Sequence, residues 1–212
     1  MTRTILFDLD GTLTDSGEGI INCASLALEH FGLPIPDRKT MGVFVGPPLH
    51  ETFIKFGVPS DQVDEAVKIF RERYFTVGKF ENFPYPGIPE LLKTLKEHGH
   101  TLYIATSKPE TLALEVTAHF GIAQYFDLIC GATLDNSRVN KDDVIEYLLK
   151  QCGGAENAVM VGDTTFDVVG AAAHGIPAIG VSWGYGKVQD MLGAGAAAIA
   201  HSTHELLQLL EA

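Results

Sequence analysis

The chain has 212 residues, 46% hydrophobic and 20% charged; that length buries a sizeable core, and the composition excludes a disordered chain. A formal net charge of −12 argues against nucleic acid as a partner, because gripping a phosphate backbone needs clustered Lys and Arg, and it leaves any anionic substrate dependent on a local cation. No apolar run approaches the roughly 20 residues of a membrane helix, and Met1-Thr-Arg leads straight into Ile5-Leu-Phe with no signal-peptide core, so the expected location is the cytoplasm, with no membrane partner.

Residues 4–10 (TILFDLD) form an apolar run ending in two aspartates, the pattern of a buried strand that delivers carboxylates at its C-terminal end. Gly11-Thr12 breaks it. Asp15-Ser-Gly-Glu18 has capping-box spacing, and Ile20, Ala24, Ala27, Leu28 and Phe31 follow at helical spacing until Gly32, Pro34 and Pro36 stop the helix. From 37 to about 82 the pattern is helical with no good strand. Ser60 is placed to cap a helix whose apolar stripe is Val63, Val67, Phe70 and Tyr74. Arg71 and Arg73, set among Glu65 and Glu72, read as a solvated helix face. Phe83-Pro-Tyr-Pro-Gly87 is a turn-rich boundary.

Beyond that boundary strands and helices alternate. A helix with Ile88, Leu91, Leu92 and Leu95 leads to a strand at 101–106, a helix over about 109–120 and a strand at 127–131. Next come a helix over about 141–151, a strand at 157–162, a helix over about 165–174 and a strand at 177–181. Residues 193–198 read as a loop entering a short strand, before a final helix over about 203–211. Alternation of this kind implies a parallel sheet covered by helices. The expected architecture is an α/β, Rossmann-like parallel-sheet core from 1–14 and 85–212, interrupted by a helical insert at 15–84. Cys23, Cys130 and Cys152 form no C-x-x-C and read as buried or free thiols.

Ligands of open parallel sheets bind beyond the C-terminal strand ends. There the sequence places Asp8 and Asp10, then Thr106-Ser107-Lys108, then Asp163 and Asp167, with Lys141 opening a helix between the last two groups. Four clustered carboxylates repel one another, and burying them unpaired is costly. Mg²⁺ resolves this, since it is usually held by one or two carboxylates, waters and phosphate oxygens. Lys141 adds a second positive charge, so the site becomes cationic inside an acidic protein, which suits a phosphate ester. Thr106 and the N–H groups opening the next helix are placed to bind phosphate oxygens. Plainer readings stand beside these: Asp167 complements its helix dipole, Lys108 is solvated as readily as near substrate, and Trp183 and Tyr185 pack as readily as they touch it. Gly11 serves the backbone by permitting positive φ.

DLDGTLTD at 8–15, TSK at 106–108, Lys141 and GDTTFD at 162–167 occur in the order found in the haloacid dehalogenase-like hydrolase superfamily, which the sequence resembles over essentially its whole length. The tail from Ala171 through Gly186 resembles the phosphoglycolate phosphatase-like branch, and the loop 134–141 resembles a subgroup with 5′-nucleotidase assignments. The resemblance implies a Mg²⁺-dependent phosphomonoesterase acting on a small phosphate ester, with phosphoglycolate, a nucleoside 5′-monophosphate and a small sugar phosphate all open. It implies Asp8 as nucleophile and Asp10 as the acid and base. Asp8, the Asp10 carbonyl, Asp163 and Asp167 would serve as metal ligands, and Thr106, Ser107 and Lys141 would hold phosphoryl oxygens. Lys141 is followed by Asp142 where many relatives carry proline. The insert is similar to a small cap that covers the site, with Gly46, Pro47 and Pro48, and Phe44 and Phe53 nearby, as the expected substrate contacts. A sugar-phosphate mutase and a catalytically silent binding protein are the alternatives on this fold; Asp10 speaks against a dehalogenase and a phosphonate hydrolase, whose patterns lack it.

Overall fold

The computed structural model describes residues 2–135 and 137–212; Met1, and Asn136 of the loop before Lys141, lie outside them. In chain order the elements open with β1 (Thr4–Phe7), β2 (Thr14–Asp15), α1 (Gly17–His30), α2 (Arg38–Met41), α3 (Leu49–Lys55), α4 (Val63–Tyr74) and β3 (Phe83–Pro84). There follow α5 (Ile88–Glu97), β4 (Thr101–Pro109), α6 (Glu110–His119), β5 (Leu128–Ala132), α7 (Lys141–Cys152) and β6 (Ala158–Gly162). The chain finishes with α8 (Thr165–Ala172), β7 (Ala178–Val181), α9 (Val188–Gly193), β8 (Ala198–Ala200) and α10 (Thr203–Glu211). Residues divide into two compact units, Met1–Thr14 with Pro84–Ala212, and Asp15–Phe83.

The first unit is an α/β fold built on a six-stranded sheet in the order β5-β4-β1-β6-β7-β8, with every pair parallel. Side chains alternate across it, as strand geometry requires. Ile5, Phe7, Val159 and Val161 face a core with α5 residues Ile88, Leu92 and Leu95 and α10 residues Leu206 and Leu210. Leu6 and Met160 face the opposite core, with α7 residues Val144, Ile145 and Leu148 and α8 residues Val168 and Ala171. The four leucine and isoleucine side chains of α5 are all buried, each contributing about 1.5–3 kcal/mol relative to exposure. β1 has β4 on one side and β6 on the other, so the chain reverses its direction of sheet growth at β1, and a crevice opens at the C-terminal ends of those three strands.

One boundary and one element in this unit differ from the pattern reading. β4 continues through Thr106, Ser107 and Lys108, with an irregularity in register between Thr106 and Pro109, so the TSK run is a distorted strand end rather than a strand-to-helix turn. α9 was not anticipated; among its six residues only Met191 is buried, too little for a periodic signal.

The second unit is helical. The stripe Val63, Val67, Phe70 and Tyr74 is buried along α4. The expected capping box at Asp15 does not form: Ser16 is the N-cap of α1 and makes no side-chain cap bond, because Asp15 is drawn into β2 while its Oδ1 accepts from Gly17 N at 3.2 Å. Ser60 does not cap α4 either. Gln62 is its N-cap, since Pro59 O takes Gln62 N at 2.9 Å in a turn that delays the helix. Arg73 is not solvated as expected; both terminal nitrogens reach Glu81 at 2.7 Å, and Nη1 also donates to Cys23 Sγ at 3.3 Å.

Candidate active site

Alternation across β1 decides which face its terminal aspartate occupies. Leu6 faces the α7 and α8 side, so Asp8, two residues on, points to the same side, where the first turns of those helices lie. Lys141 is the first residue of α7, which is started by a capping box between Asn140 and Asp143. Asp142, next in the chain, leaves that box intact. The Lys141 ammonium sits 2.8 Å from Asp8 Oδ1, 2.8 Å from Asp167 Oδ1 and 3.0 Å from the Ala105 carbonyl to which it donates. One buried cation therefore ties together the ends of β1 and β4 and the first turn of α8.

The acidic partners are held just as closely. Asp163 Oδ1 accepts from Thr12 Oγ1 at 3.2 Å and its Oδ2 from Tyr185 N at 2.8 Å. Asp167 closes a capping box at the start of α8, where its Oδ2 accepts from Thr164 N at 3.0 Å and Thr164 Oγ1 at 2.9 Å. The capping bonds thus fall on one carboxylate oxygen and the Lys141 contact on the other. Gly11 does more than turn the chain. It has a φ of 87°, and a Cβ there would lie 2.3 Å from Asp163 Oδ2, so no other residue fits this approach.

The electrostatics are unbalanced. Asp8, Asp163, Asp167 and Lys141 are all buried, three carboxylates against one ammonium. Burial pushes Asp8 up to about 6, with Lys141 opposing the rise. Burial, reinforced by Asp167 and Asp8, pushes Asp163 up to about 8. Burial works against the Lys141 ammonium, yet Asp167 and Asp8 outweigh it and hold its pKa above the ordinary lysine value. One oxygen each from Asp8, Asp163 and Asp167 lies within 4.8 Å of the others. Hard oxygen donors, buried together with surplus negative charge, fit a hard divalent cation.

Around Asp8, two contacts fall on one oxygen: Oδ1 meets Lys141 and also accepts from Leu9 N at 2.7 Å. Asp10 is not part of the three-carboxylate cluster; both its oxygens meet Lys108 Nζ, at 3.0 and 2.9 Å. Lys108 is therefore buried and paired, and its solvated reading is corrected. Thr106 is buried at the end of β4, its Oγ1 accepting from Lys108 N at 3.2 Å, and Ser107 is half-buried.

Sequence reasoning did not find the supports of Asp163. Thr12 lies in the first motif and Tyr185 in a glycine-rich loop, and the bond from Tyr185 is made by its backbone, which no side-chain pattern reveals. Trp183 Nε1 donates to the Thr12 carbonyl at 3.1 Å and its ring meets Tyr85 edge-on, so it braces the aspartate loop.

In the second unit, Phe44 and Phe53 are 2% and 0% exposed. Their rings pack on each other at 5.0 Å, with Phe56 and Phe70 beside them. The expectation that they contact substrate is corrected: both rings are spent on the aromatic core of their own unit. Gly46 and Pro48 are exposed and Pro47 is half-buried.

Aspartates and a lysine gathered at the switch point of a parallel sheet define a site for anionic phosphoryl chemistry. The chain belongs to the haloacid dehalogenase-like hydrolase family, whose model matches residues 5–181. It is 43% identical over 189 residues to a 5′-nucleotidase of Pseudomonas aeruginosa, covering 88% of this chain and 86% of that one. It is also 44% identical over 186 residues to the tyrosine-protein kinase PtkA of Mycobacterium tuberculosis, covering 87% of this chain and 64% of the kinase, which is less than two thirds of its length. A crystal structure of a predicted phosphatase from Clostridium acetobutylicum superimposes with a TM-score of 0.94 at 38% identity, covering 100% of both chains. The protein is a hydrolase of the phosphatase type. Among its described residues no helix is long and apolar enough to cross a membrane.

Proposed function

We propose that this enzyme is a Mg²⁺-dependent phosphomonoesterase that works through a phosphoryl-aspartate on Asp8. The observation that carries the reading is the Asp8 carboxylate, anchored through Oδ1 by Lys141 and Leu9 N at the end of β1. In the first step Asp8 Oδ2 attacks phosphorus, the P–O bond to the alcohol breaks, and Asp10 gives a proton to the leaving oxygen. In the second, Asp10 takes a proton from water, the resulting hydroxide attacks phosphorus, and the bond to Asp8 breaks, releasing phosphate. Lys141 and Thr106, with Ser107 beside them, hold the phosphoryl oxygens and offset their charge. Asp8, Asp163, Asp167 and the Asp10 carbonyl would hold Mg²⁺, which when bound supplies positive charge to the phosphoryl group.

The substrate is a small phosphorylated metabolite, with a nucleoside 5′-monophosphate favoured by the Pseudomonas relative and phosphoglycolate by a relative of that name in Aquifex aeolicus, 32% identical. Discrimination among substrates is assigned to the segment Gly46, Pro47 and Pro48, whose first and last residues are exposed. The setting is the cytoplasm. A second reading comes from the mycobacterial kinase, in which phosphoryl transfer goes to a tyrosine instead of water.

The test measures phosphate release from nucleoside 5′-monophosphates, phosphoglycolate, hexose phosphates and an aryl phosphate, with EDTA and Asp8→Asn beside it. Release that needs both metal and Asp8 supports the reading. Release that survives Asp8→Asn contradicts it. Phosphotyrosine formed from ATP and a tyrosine peptide, with no phosphate released from any ester, would favour the kinase reading.

A further inference from the structure

A second buried lysine, beside the one at the three-carboxylate cluster, needs an explanation. Lys108 has a side chain 2% exposed, and its ammonium straddles both oxygens of Asp10, whose side chain is 14% exposed. The two residues are 98 apart in sequence. Long lysine side chains are rarely buried unless paired, because ordering four rotatable bonds and desolvating an ammonium are both unfavourable. The two buried lysines also divide their work: Lys141 meets Asp8 and Asp167, and Lys108 meets Asp10.

The backbone around Lys108 is clamped at several points. Lys108 N donates to Thr106 Oγ1 at 3.2 Å, where β4 loses register with β5. Gly131 of β5 lies against this segment, and a Cβ there would come within 2.5 Å of the Lys108 carbonyl oxygen. Two residues on, Glu110 Oε2 accepts from Gly131 N at 3.1 Å and from Arg138 Nη2 at 2.8 Å. Arg138 Nε closes the arrangement by donating to the Gly131 carbonyl at 2.7 Å, its guanidinium lying 3.7 Å from the centre of the Tyr147 ring. Arg138 belongs to the loop before Lys141 that the sequence marked out. The strand irregularity, the glycine and the Arg138–Glu110 pair hold the segment from which Lys108 reaches Asp10.

We infer that Lys108 is a positioning residue for Asp10. Its ammonium fixes the Asp10 carboxyl group, which is protonated when it acts as the acid, in the orientation from which its proton passes to the leaving oxygen. The inference rests on the reading of Asp10 as proton donor. A positioned acid matters most when the leaving alcohol is a poor one, and little when it departs unaided. That contrast separates positioning from phosphate binding and from support of the fold, both of which act equally on every ester.

The experiment compares kcat/KM, which reports phosphoryl transfer to Asp8, for an alkyl phosphate and an aryl phosphate. The proteins are the wild type, Asp10→Asn, Lys108→Met and Lys108→Arg, each checked for a cooperative melt. Lys108→Met is expected to lower the alkyl value by about 10²-fold, the low end of general acid catalysis, and the aryl value at least tenfold less. Lys108→Arg keeps a cationic donor and is expected to recover part of the alkyl rate, and it carries the test alone if Lys108→Met does not fold. Equal losses on both esters, or a change confined to KM, overturn the inference. If Asp10→Asn discriminates between the esters and the Lys108 variants do not, the proton-transfer reading stands and the positioning role falls. If Asp10→Asn does not discriminate either, both fall.

Discussion

Both units have apolar cores, but they differ in the charge they bury. The first places Asp8, Lys108, Lys141, Asp163 and Asp167 in its interior at one edge of a sheet. The second fills its interior with Phe44, Phe53, Phe70 and Tyr74, and its Arg73–Glu81 ion pair is half-buried and joins its own elements. Buried charge is costly, so a cluster of it marks a place where stability has been given up for chemistry. Buried aromatics need no such account. On the proposed reading the reaction depends on the polar interior of one unit, and the other unit contributes through surface such as Gly46 and Pro48.

The sharpest way to break this comparison is to remove one residue from each interior. Asp8→Asn is expected to lower phosphate release by about 10⁴-fold or more, the scale on which a lost nucleophile acts, while leaving the melting curve near that of the wild type. Phe53→Ala is expected to cost about 3–5 kcal/mol of stability in urea titration, from lost burial and the cavity left behind. If Asp8→Asn unfolds the protein, or Phe53→Ala melts normally, the division is wrong.

A second prediction uses pH. Lys141→Ala leaves Asp8 and Asp167 buried without their cation, at an expected cost of about 3–5 kcal/mol near neutrality. That cost should shrink as pH falls and protons replace the missing ammonium, whereas the Phe53→Ala penalty should stay level. Equal pH dependence in the two variants would remove the electrostatic account.

The smallest expected effect concerns metal. Asp8 and Asp163 have folded pKa values raised to about 6 and about 8, above an unfolded aspartate near 3.9. Below the unfolded value both states are protonated and the folded-state preference for the proton is fully present. It is lost as pH rises through 6 and then 8, so metal-free protein should melt progressively lower across that window. A divalent cation displaces those protons, so the rise in Tm on adding Mg²⁺ should be small at pH 5 and larger at pH 8. A rise that does not change with pH would mean Mg²⁺ binds elsewhere.

Much of this was legible in the chain, for identifiable reasons. Strand ends that carry Asp8, Thr106 and Asp163 follow short apolar runs, and such runs report burial reliably. Lys108 was not legible, because its partner lies 98 residues away and a single lysine has no periodicity. Phe44 and Phe53 were misread because an aromatic beside a Gly-Pro turn fits a pocket wall as well as a core. Ser60 and Asp15 offered correct capping chemistry but lost to a proline turn and a strand pair. The site's anchoring bonds from Leu9 N and Tyr185 N come from backbone groups, which every residue except proline carries.

The most direct test of the central claim is acid quenching during turnover, followed by mass spectrometry of the peptide containing Asp8. The account predicts one phosphoryl group on Asp8, absent from Asp8→Asn and from protein without substrate. Steady phosphate release with Asp8 never modified, under quenching fast enough to catch a stable acyl phosphate standard, would contradict it.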